Sequence, residues 1–216
     1  MRTTEDDRLT DDPYKQKSRA AYDRYAPQYD TGVSGRHARW LHASVLAALE
    51  ELDFGSVLDV GCGTAVLLEK IIAMRPATAA HGIDLSPGML AVARERLGES
   101  ADVRVADAEA LPLADDAVDA VVCVDSFHHY PLPGVALIEM RRVLRAGGAL
   151  VLGEWRVPAP IRRLMNAVIG RMPDGDVRIY SRTEIVGLAL AAGFDVVHWS
   201  KPGRRGQLLV CRRPAG

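Results

Sequence analysis

The feature that most constrains this chain is a series of short apolar segments that alternate with helical segments between residues 56 and 155. The apolar segments are nearly continuous, which is typical of strands covered on both faces. Because crossovers between parallel strands are right-handed, this order predicts a doubly wound α/β fold with a mostly parallel sheet. The predicted strands of this region are 56–60, 79–85, 103–106, 118–124 and 149–155.

The flanking segments complete a Rossmann-like prediction. Helices at about 14–26 and 36–51 form an N-terminal helical cap. A proline- and glycine-rich insert with a short helix follows the fifth strand and predicts a lid. Ser181 opens a capping box with Glu184 and starts the last helix. An antiparallel C-terminal hairpin, at 194–199 and 207–211, then brings the sheet to seven strands.

The length of 216 residues is suited to one domain with elaborations. We expect a disordered acidic tail at 1–12, because its residues cannot bury enough apolar surface to fold. A single domain is expected over 13–216. Its predicted parts are the helical cap, the cofactor-binding core, the lid, and the closing helix with the hairpin: 13–52, 53–155, 156–180 and 181–216.

Composition excludes several classes of partner. The 27 basic and 28 acidic residues give a net charge of −1, which provides no general attraction for nucleic acid or an anionic membrane. No segment approaches the roughly 18 to 20 apolar residues of a membrane span. The three cysteines are widely spaced and indicate neither disulfides nor a zinc site. We therefore expect a cytoplasmic protein with no metal, and either a monomer or a dimer.

A glycine-rich turn at the end of the first strand indicates a cofactor site. Gly61 and Gly63 allow a ligand to approach the backbone, and Asp84 ends the second strand, where its carboxylate would accept hydrogen bonds from both ribose hydroxyls. Val66 stands where a dinucleotide fingerprint needs a third small residue. Asp59 would repel a pyrophosphate but attract an ammonium or sulfonium group. This favours S-adenosylmethionine, although a tight turn and an Asp59 that binds the turn amides are the alternatives.

Several blocks in order resemble the class I S-adenosylmethionine-dependent methyltransferases, in particular the small-molecule branch of ubiquinone and menaquinone biosynthesis enzymes. The blocks are YDRYAPQYD from Tyr22, VLDVGCGTA from Val57, GIDLSPGML from Gly82, ADAEALPL from Ala106, FHHY from Phe127 and RVLRAGG from Arg142. The resemblance implies that S-adenosylmethionine is the cofactor and S-adenosylhomocysteine the product.

The resemblance also implies roles for single residues. Asp59, Gly61 and Gly63 would line the methionine portion, and Asp84 would hold the ribose. The adenine would pack on Leu85 and Met89, with Asp107 on its exocyclic amine and the Ala108 amide nearby. Further candidates for the cofactor site are Tyr29, Arg36 and Asp125. The family's usual Lys-Pro is replaced by Arg145-Ala146, a departure that we interpret as structural.

The acceptor site is predicted just beyond the fourth strand. His128 and His129 are candidate general bases, which a hydroxyl or carbon acceptor would need, and a role as pocket wall is the alternative. Other candidates for the substrate pocket are aromatic residues and one carboxylate near the same edge: Tyr22, Tyr25, Tyr130, Glu154, Trp155 and Tyr180. Arginines at 162, 163, 171, 204, 205, 212 and 213 are interpreted as solvated faces rather than a binding site.

The function predicted from the sequence is transfer of a methyl group to oxygen, nitrogen or carbon of a small organic molecule, in secondary or quinone metabolism. Nucleic acid is not expected as the acceptor. One alternative is a non-catalytic protein that binds S-adenosylmethionine or S-adenosylhomocysteine. The other is a nicotinamide-dependent oxidoreductase, which Val66 and Asp59 argue against.

Overall fold

The structure, a computed structural model, describes residues 12–216, without the side chains of 33, 34 and 36–38. The predicted tail therefore lies outside the described residues, apart from Asp12. The helices are α1 Pro13–Tyr25, α2 Val33–Glu50, α3 Val66–Met74, α4 Pro87–Leu97, α5 Pro133–Val143, α6 Ala159–Asn166 and α7 Arg182–Ala191. The strands are β1 Ser56–Val60, β2 Ala79–Asp84, β3 Asp102–Val105, β4 Val118–Val124, β5 Leu144–Trp155, β6 Asp195–Ser200 and β7 Gly206–Arg212.

The seven strands form one sheet in the order β3-β2-β1-β4-β5-β7-β6. Strands β1 to β5 pair in parallel, and β7 is antiparallel to both β5 and β6. The predicted doubly wound sheet with a C-terminal hairpin is thus confirmed. The order reverses between β1 and β4, and ligands of such sheets bind at the carboxyl ends of the strands beside that point.

Both faces of the sheet are covered because its central strands are apolar on both sides. Every residue of β1 is buried. Leu58 and Val60 pack in a core layer with α5 and α7. Val57 packs on the opposite face, in a layer with α2, α3 and α4. The alternation within one strand explains why its sequence is a continuous apolar run rather than an amphipathic one.

Strand β5 begins earlier than the sequence predicts. The prediction starts it at Ala149, after the glycine pair, but the strand already pairs at Leu144 with Val118. The register then shifts, so that Ala149 pairs with Ala120. Gly148 lies in this irregularity, where a Cβ atom would stand 2.9 Å from the Asp119 carbonyl oxygen. The close approach of two backbones accounts for a glycine inside a strand.

The lid prediction concerns residues 156–180, which form α6 and a short 3-10 turn at Ile169–Arg171. Val157, Ile169 and Ile179 pack together in a small cluster of their own.

Across residues 12–216, no helix combines the length and the apolar character needed to cross a membrane.

Candidate active site

The turn after β1 contains two glycines that the backbone requires for different reasons. Gly61 has a φ of +75°, and a Cβ atom there would stand 1.9 Å from Ser126 Oγ. Gly63 has a φ of +55°, and a Cβ atom there would meet nothing within 4 Å. Both residues line one cavity at the carboxyl ends of the central strands. Gly61 therefore lets two strand ends approach each other, and Gly63 leaves an open cradle for a ligand.

Asp84 is fixed at the end of β2 by two backbone amides. Gly63 N donates to its Oδ2 at 2.9 Å, and Ser86 N donates to its Oδ1 at 2.8 Å. Burial raises the pKa of this carboxyl, and the two amides counteract part of that rise. Because each carboxylate oxygen retains a free lone pair, Asp84 can still accept hydrogen bonds from a diol in the cavity.

Asp59 lies in the same cavity and is 2% exposed. Burial, followed by the nearby charge of Asp84, raises its pKa to about 7. The turn amides have other acceptors, since Gly61 N and Cys62 N both donate to Ile83 O at 2.9 Å. Asp59 is therefore not the acceptor for these two turn amides. A buried carboxyl of this kind suits a cationic ligand group, which would favour its ionised form.

The predicted adenine contacts line this cavity too: Leu85, Met89, Asp107 and Ala108. Lys15 of α1 reaches over this end and donates to Asp107 Oδ2 at 2.6 Å and to Glu109 Oε2 at 2.5 Å. Asp107 Oδ1 accepts from Glu109 N at 2.9 Å. Lys15 is not predictable as a site residue from the sequence, because nothing near it in the chain shows which acid it will meet.

The helical cap is attached to the sheet by two further acids that the sequence analysis missed. Asp23 accepts from Ser86 Oγ at 2.5 Å and from Gly88 N at 2.9 Å, at the start of α4. Asp30 accepts from Thr64 Oγ1 at 2.7 Å and pairs with Arg96. Tyr29, which the sequence assigned to the cofactor, lines the cavity. Arg36 received the same assignment, but its side chain lies outside the described residues.

The part of the cavity where the acceptor is predicted is lined by Tyr22, His129 and Tyr130, together with Asp125, which the sequence assigned to the cofactor. Tyr22 Oη and His129 Nε2 are 2.9 Å apart, which joins the cap to the segment after β4. Burial raises the pKa of Tyr22 well above its usual range, so the phenol keeps its proton. Asp125 has a φ of +54°, a strained value for a residue with a side chain.

His128 lies behind this wall and does not line the cavity. Its Nδ1 is 2.9 Å from Glu154 Oε2, and its Nε2 is 3.7 Å from Asp176 Oδ1. Burial opposes a charge on His128, but Glu154 and the other acids outweigh it and raise the pKa to about 9. Burial and the charge of His128 lower the pKa of His129 well below its usual value.

The structure also keeps other predicted pocket residues out of the cavity lining. Tyr25 donates from its hydroxyl to Asp174 at 2.7 Å. The Tyr180 ring packs 5.1 Å from the Phe127 ring, and the Trp155 ring lies 6.0 Å from that of His128. Among the described residues, the lining of this cavity does not include Tyr25, His128, Glu154, Trp155 or Tyr180. A pocket role for these five residues stays a prediction.

Comparisons with known proteins agree with this geometry. The profile of the family described as "Methyltransferase domain" matches residues 58–152. A malonyl-acyl-carrier-protein O-methyltransferase of Geobacter sulfurreducens is 30% identical over 191 residues, which is 85% of this chain and 72% of that protein. The ubiquinone/menaquinone biosynthesis C-methyltransferase UbiE of Syntrophotalea carbinolica is 31% identical over 209 residues, with 83% of this chain and 86% of that protein covered.

Solved structures share the fold at lower identity. The [4+2]-cyclase SpnF superposes with a TM-score of 0.78 at 22% identity, over 94% of this chain and 98% of that chain. A Haloferax volcanii methyltransferase, solved with its Trm112 activator, gives a TM-score of 0.74 at 21% identity, over 89% and 97%. The glycine turn with the acids Asp59 and Asp84, the sheet order and the curated relatives lead to one conclusion. This chain belongs to the class I S-adenosylmethionine-dependent methyltransferases, in the branch of the ubiquinone and menaquinone biosynthesis enzymes.

Proposed function

We propose that the cavity binds S-adenosylmethionine and that the chain transfers its methyl group to a small organic acceptor. The observation that carries the proposal is a pair of carboxyls, the buried Asp59 and the half-buried Asp84, at neighbouring strand ends around the cradle at Gly63. Asp84 is fixed to accept hydrogen bonds from ribose hydroxyls. Asp59 would attract the ammonium and sulfonium of the methionine portion, and a nicotinamide dinucleotide offers neither of these groups.

The other end of the cavity suits an adenine ring. Leu85 and Met89 supply apolar surface, and the Asp107 carboxylate is held by Lys15 at the rim. A carboxylate with a free lone pair accepts from an exocyclic amine. The cavity therefore provides one matching group for each part of the cofactor along its length.

The chain's own contribution to methyl transfer is alignment in a site that excludes water. S-adenosylmethionine supplies an electrophilic methyl on a sulfonium, and the transfer needs donor and acceptor about 3 to 3.5 Å apart. The acceptor would lie against Tyr22, His129 and Tyr130, since these residues line the cavity where the cap meets the segment after β4. The Tyr22–His129 hydrogen bond fixes this wall and gives it a group that can hold an acceptor's hydroxyl.

The relatives narrow the acceptor class. One is named as a malonyl-acyl-carrier-protein O-methyltransferase and another as a C-methyltransferase of ubiquinone and menaquinone biosynthesis. We propose a small acceptor of comparable chemistry, methylated at oxygen, nitrogen or carbon, and not a nucleic acid. The near-neutral net charge supports this proposal, because polyanion binding draws on a basic surface.

The test is release of S-adenosylhomocysteine from S-adenosylmethionine in the presence of a panel of acceptors: a catechol, a hydroquinone, a malonyl thioester and a primary amine. We expect at least one acceptor to give release that depends on wild-type protein and is lost in Asp84→Asn. The contradicting result has two parts. Wild-type protein would bind S-adenosylhomocysteine, but with every acceptor it would release no more S-adenosylhomocysteine than Asp84→Asn does. That result would overturn the catalytic proposal in favour of a non-catalytic binding protein.

A further inference from the structure

Behind the acceptor wall, three metal-ligating atoms converge from two distant parts of the chain. Asp176 Oδ1 lies 3.2 Å from His129 Nδ1 and 3.7 Å from His128 Nε2. All three atoms lie within 4.8 Å of one another. The histidines follow β4, and the aspartate precedes α7. For ligand atoms about 2.1 Å from a tetrahedral ion, the expected separation is about 3.4 Å, so the observed spacing accommodates one cation with little movement.

Each imidazole is oriented by its other nitrogen. His128 Nδ1 is 2.9 Å from Glu154 Oε2, and His129 Nε2 is 2.9 Å from Tyr22 Oη. In metal sites, such partners hold the N–H on the distal nitrogen and leave the ligating nitrogen free. The two hydrogen bonds therefore leave His128 Nε2 and His129 Nδ1 as the atoms that face Asp176.

Two polar atoms of this cluster are buried without a hydrogen-bond partner. They are His129 Nδ1 and Glu154 Oε1. His129 is 8% exposed and Glu154 is 2% exposed, so bulk water does not reach these groups. Leaving such an atom unsatisfied costs about 1 to 3 kcal/mol. A cation beside His129 Nδ1 would satisfy the first atom directly and would offset the negative charge of the two acids.

We propose that His128, His129 and Asp176 form a binding site for one divalent transition-metal ion, with Glu154 as the partner that orients His128. Two imidazole nitrogens and one carboxylate favour an ion such as Zn²⁺ over Mg²⁺ or Ca²⁺, which prefer oxygen ligands.

The position of the site suggests its use. His129 belongs to both the metal cluster and the cavity wall, whereas His128 and Asp176 do not line the cavity, so an ion there would lie directly behind the wall. Coordination at His129 Nδ1 would fix the ring in one orientation and would hold its Nε2 at Tyr22, where an acceptor would lie. This use rests on the proposed function, whereas the metal site itself does not require it.

The experiment is a titration of metal-stripped protein with Co²⁺, followed by visible absorption, with Zn²⁺ as competitor. We expect one Co²⁺ per chain, displaced by Zn²⁺. Binding should weaken by more than about 100-fold in Asp176→Asn and by about 10- to 100-fold in Glu154→Gln. Asp174→Asn is the matched control, since Asp174 lies on the same loop but accepts a hydrogen bond from Tyr25. The affinity of this variant for Co²⁺ should equal that of wild type.

S-adenosylhomocysteine affinity is measured on the same preparations to show that each variant is folded and to separate the two proposals. Absence of stoichiometric Co²⁺ binding in wild-type protein would overturn the metal site. Equal affinity for Co²⁺ in wild type, Asp176→Asn and Glu154→Gln would also overturn the metal site. Stoichiometric metal binding without binding of S-adenosylhomocysteine would support the site and contradict the proposed function alone.

Discussion

The two ends of the cavity are built in different ways. The cofactor end comes mostly from strand ends and the turns directly after them, with Gly63 donating to Asp84 across two neighbouring strands. The end where we propose the acceptor brings together Tyr22 of α1 and His129 after β4, with Asp176, before α7, behind the wall that they form. The first is fixed largely by backbone geometry and the second by side chains from distant segments. Changes at the cofactor end should therefore alter cofactor affinity, and changes at the acceptor end should alter turnover.

The largest effect is expected from Gly61→Ala. The added Cβ would overlap Ser126 Oγ, and the left-handed backbone adds about 1 to 2 kcal/mol. With the cost of overpacking, S-adenosylhomocysteine affinity should fall by at least about 100-fold and the melting temperature should drop. Calorimetry and thermal unfolding measure both. Gly134→Ala, where a Cβ meets nothing within 4 Å, is the control.

Rescue would show that the overlap is the cause. Ser126→Gly in the Gly61→Ala background removes the two atoms nearest to the new methyl group and should recover part of the lost affinity. An unchanged affinity in Gly61→Ala alone would contradict the role given to this turn.

At the acceptor end, His129→Gln should reduce turnover by about 100-fold or more while S-adenosylhomocysteine affinity changes by less than about threefold. The reason is that His129 holds the proposed acceptor wall through Tyr22, whereas Asp84 is held by the amides of Gly63 and Ser86. Steady-state rates with an acceptor that supports turnover, together with calorimetry, measure the two quantities. A loss of turnover below threefold would remove His129 from the mechanism. A parallel loss of S-adenosylhomocysteine affinity would contradict the claim that the two ends of the cavity control affinity and turnover separately.

The residues that the sequence assigned to the cofactor line the cavity more completely than those that it assigned to the substrate, and the reason is physical. Gly61, Gly63 and Asp84 occupy a strand-turn-helix unit whose geometry follows from local spacing, and the structure places them around one cavity. Lys15, Asp23 and Asp176 become neighbours of the site only through long-range packing.

The same distinction applies to the fold. Seven strands and the C-terminal hairpin followed from apolar patterns, but the early start of β5 at Leu144 did not, because it depends on pairing with Val118. The division into cap, core, lid and closing segment stays a prediction.

The affinity for S-adenosylmethionine should change about tenfold with pH, because Asp59 titrates near neutral pH. Asp59 has a pKa of about 7 in the free protein and is protonated below that value. Because a cationic ligand binds the ionised form, S-adenosylmethionine affinity should rise by about eight- to tenfold between pH 6 and 7.5. Titrations at several pH values measure the slope, which Asp59→Asn should largely lose. A slope that persists in that variant would assign the titration to another group.

The smallest expected effect concerns the cap over the adenine end. Lys15→Met removes a partly buried pair of ionic contacts to Asp107 and Glu109, worth about 1 kcal/mol. S-adenosylhomocysteine should dissociate about fivefold faster, as measured by stopped-flow displacement. Lys17→Met, on the exposed side of the same helix, should leave the rate unchanged. Equal rates in both variants would show that Lys15 does not hold the cap over the ligand.

The central claim is that Asp84 and its neighbours form an S-adenosylmethionine site, and calorimetric titration with S-adenosylhomocysteine tests it most directly. We expect one site per chain in wild-type protein. Affinity should be about 10- to 100-fold weaker in Asp84→Asn, since hydrogen bonds to a charged group contribute about 1.5 to 3 kcal/mol. Asp102→Asn, at the start of the edge strand β3, should match wild type. Absence of binding in wild type, or equal affinity in wild type and Asp84→Asn, would contradict the account.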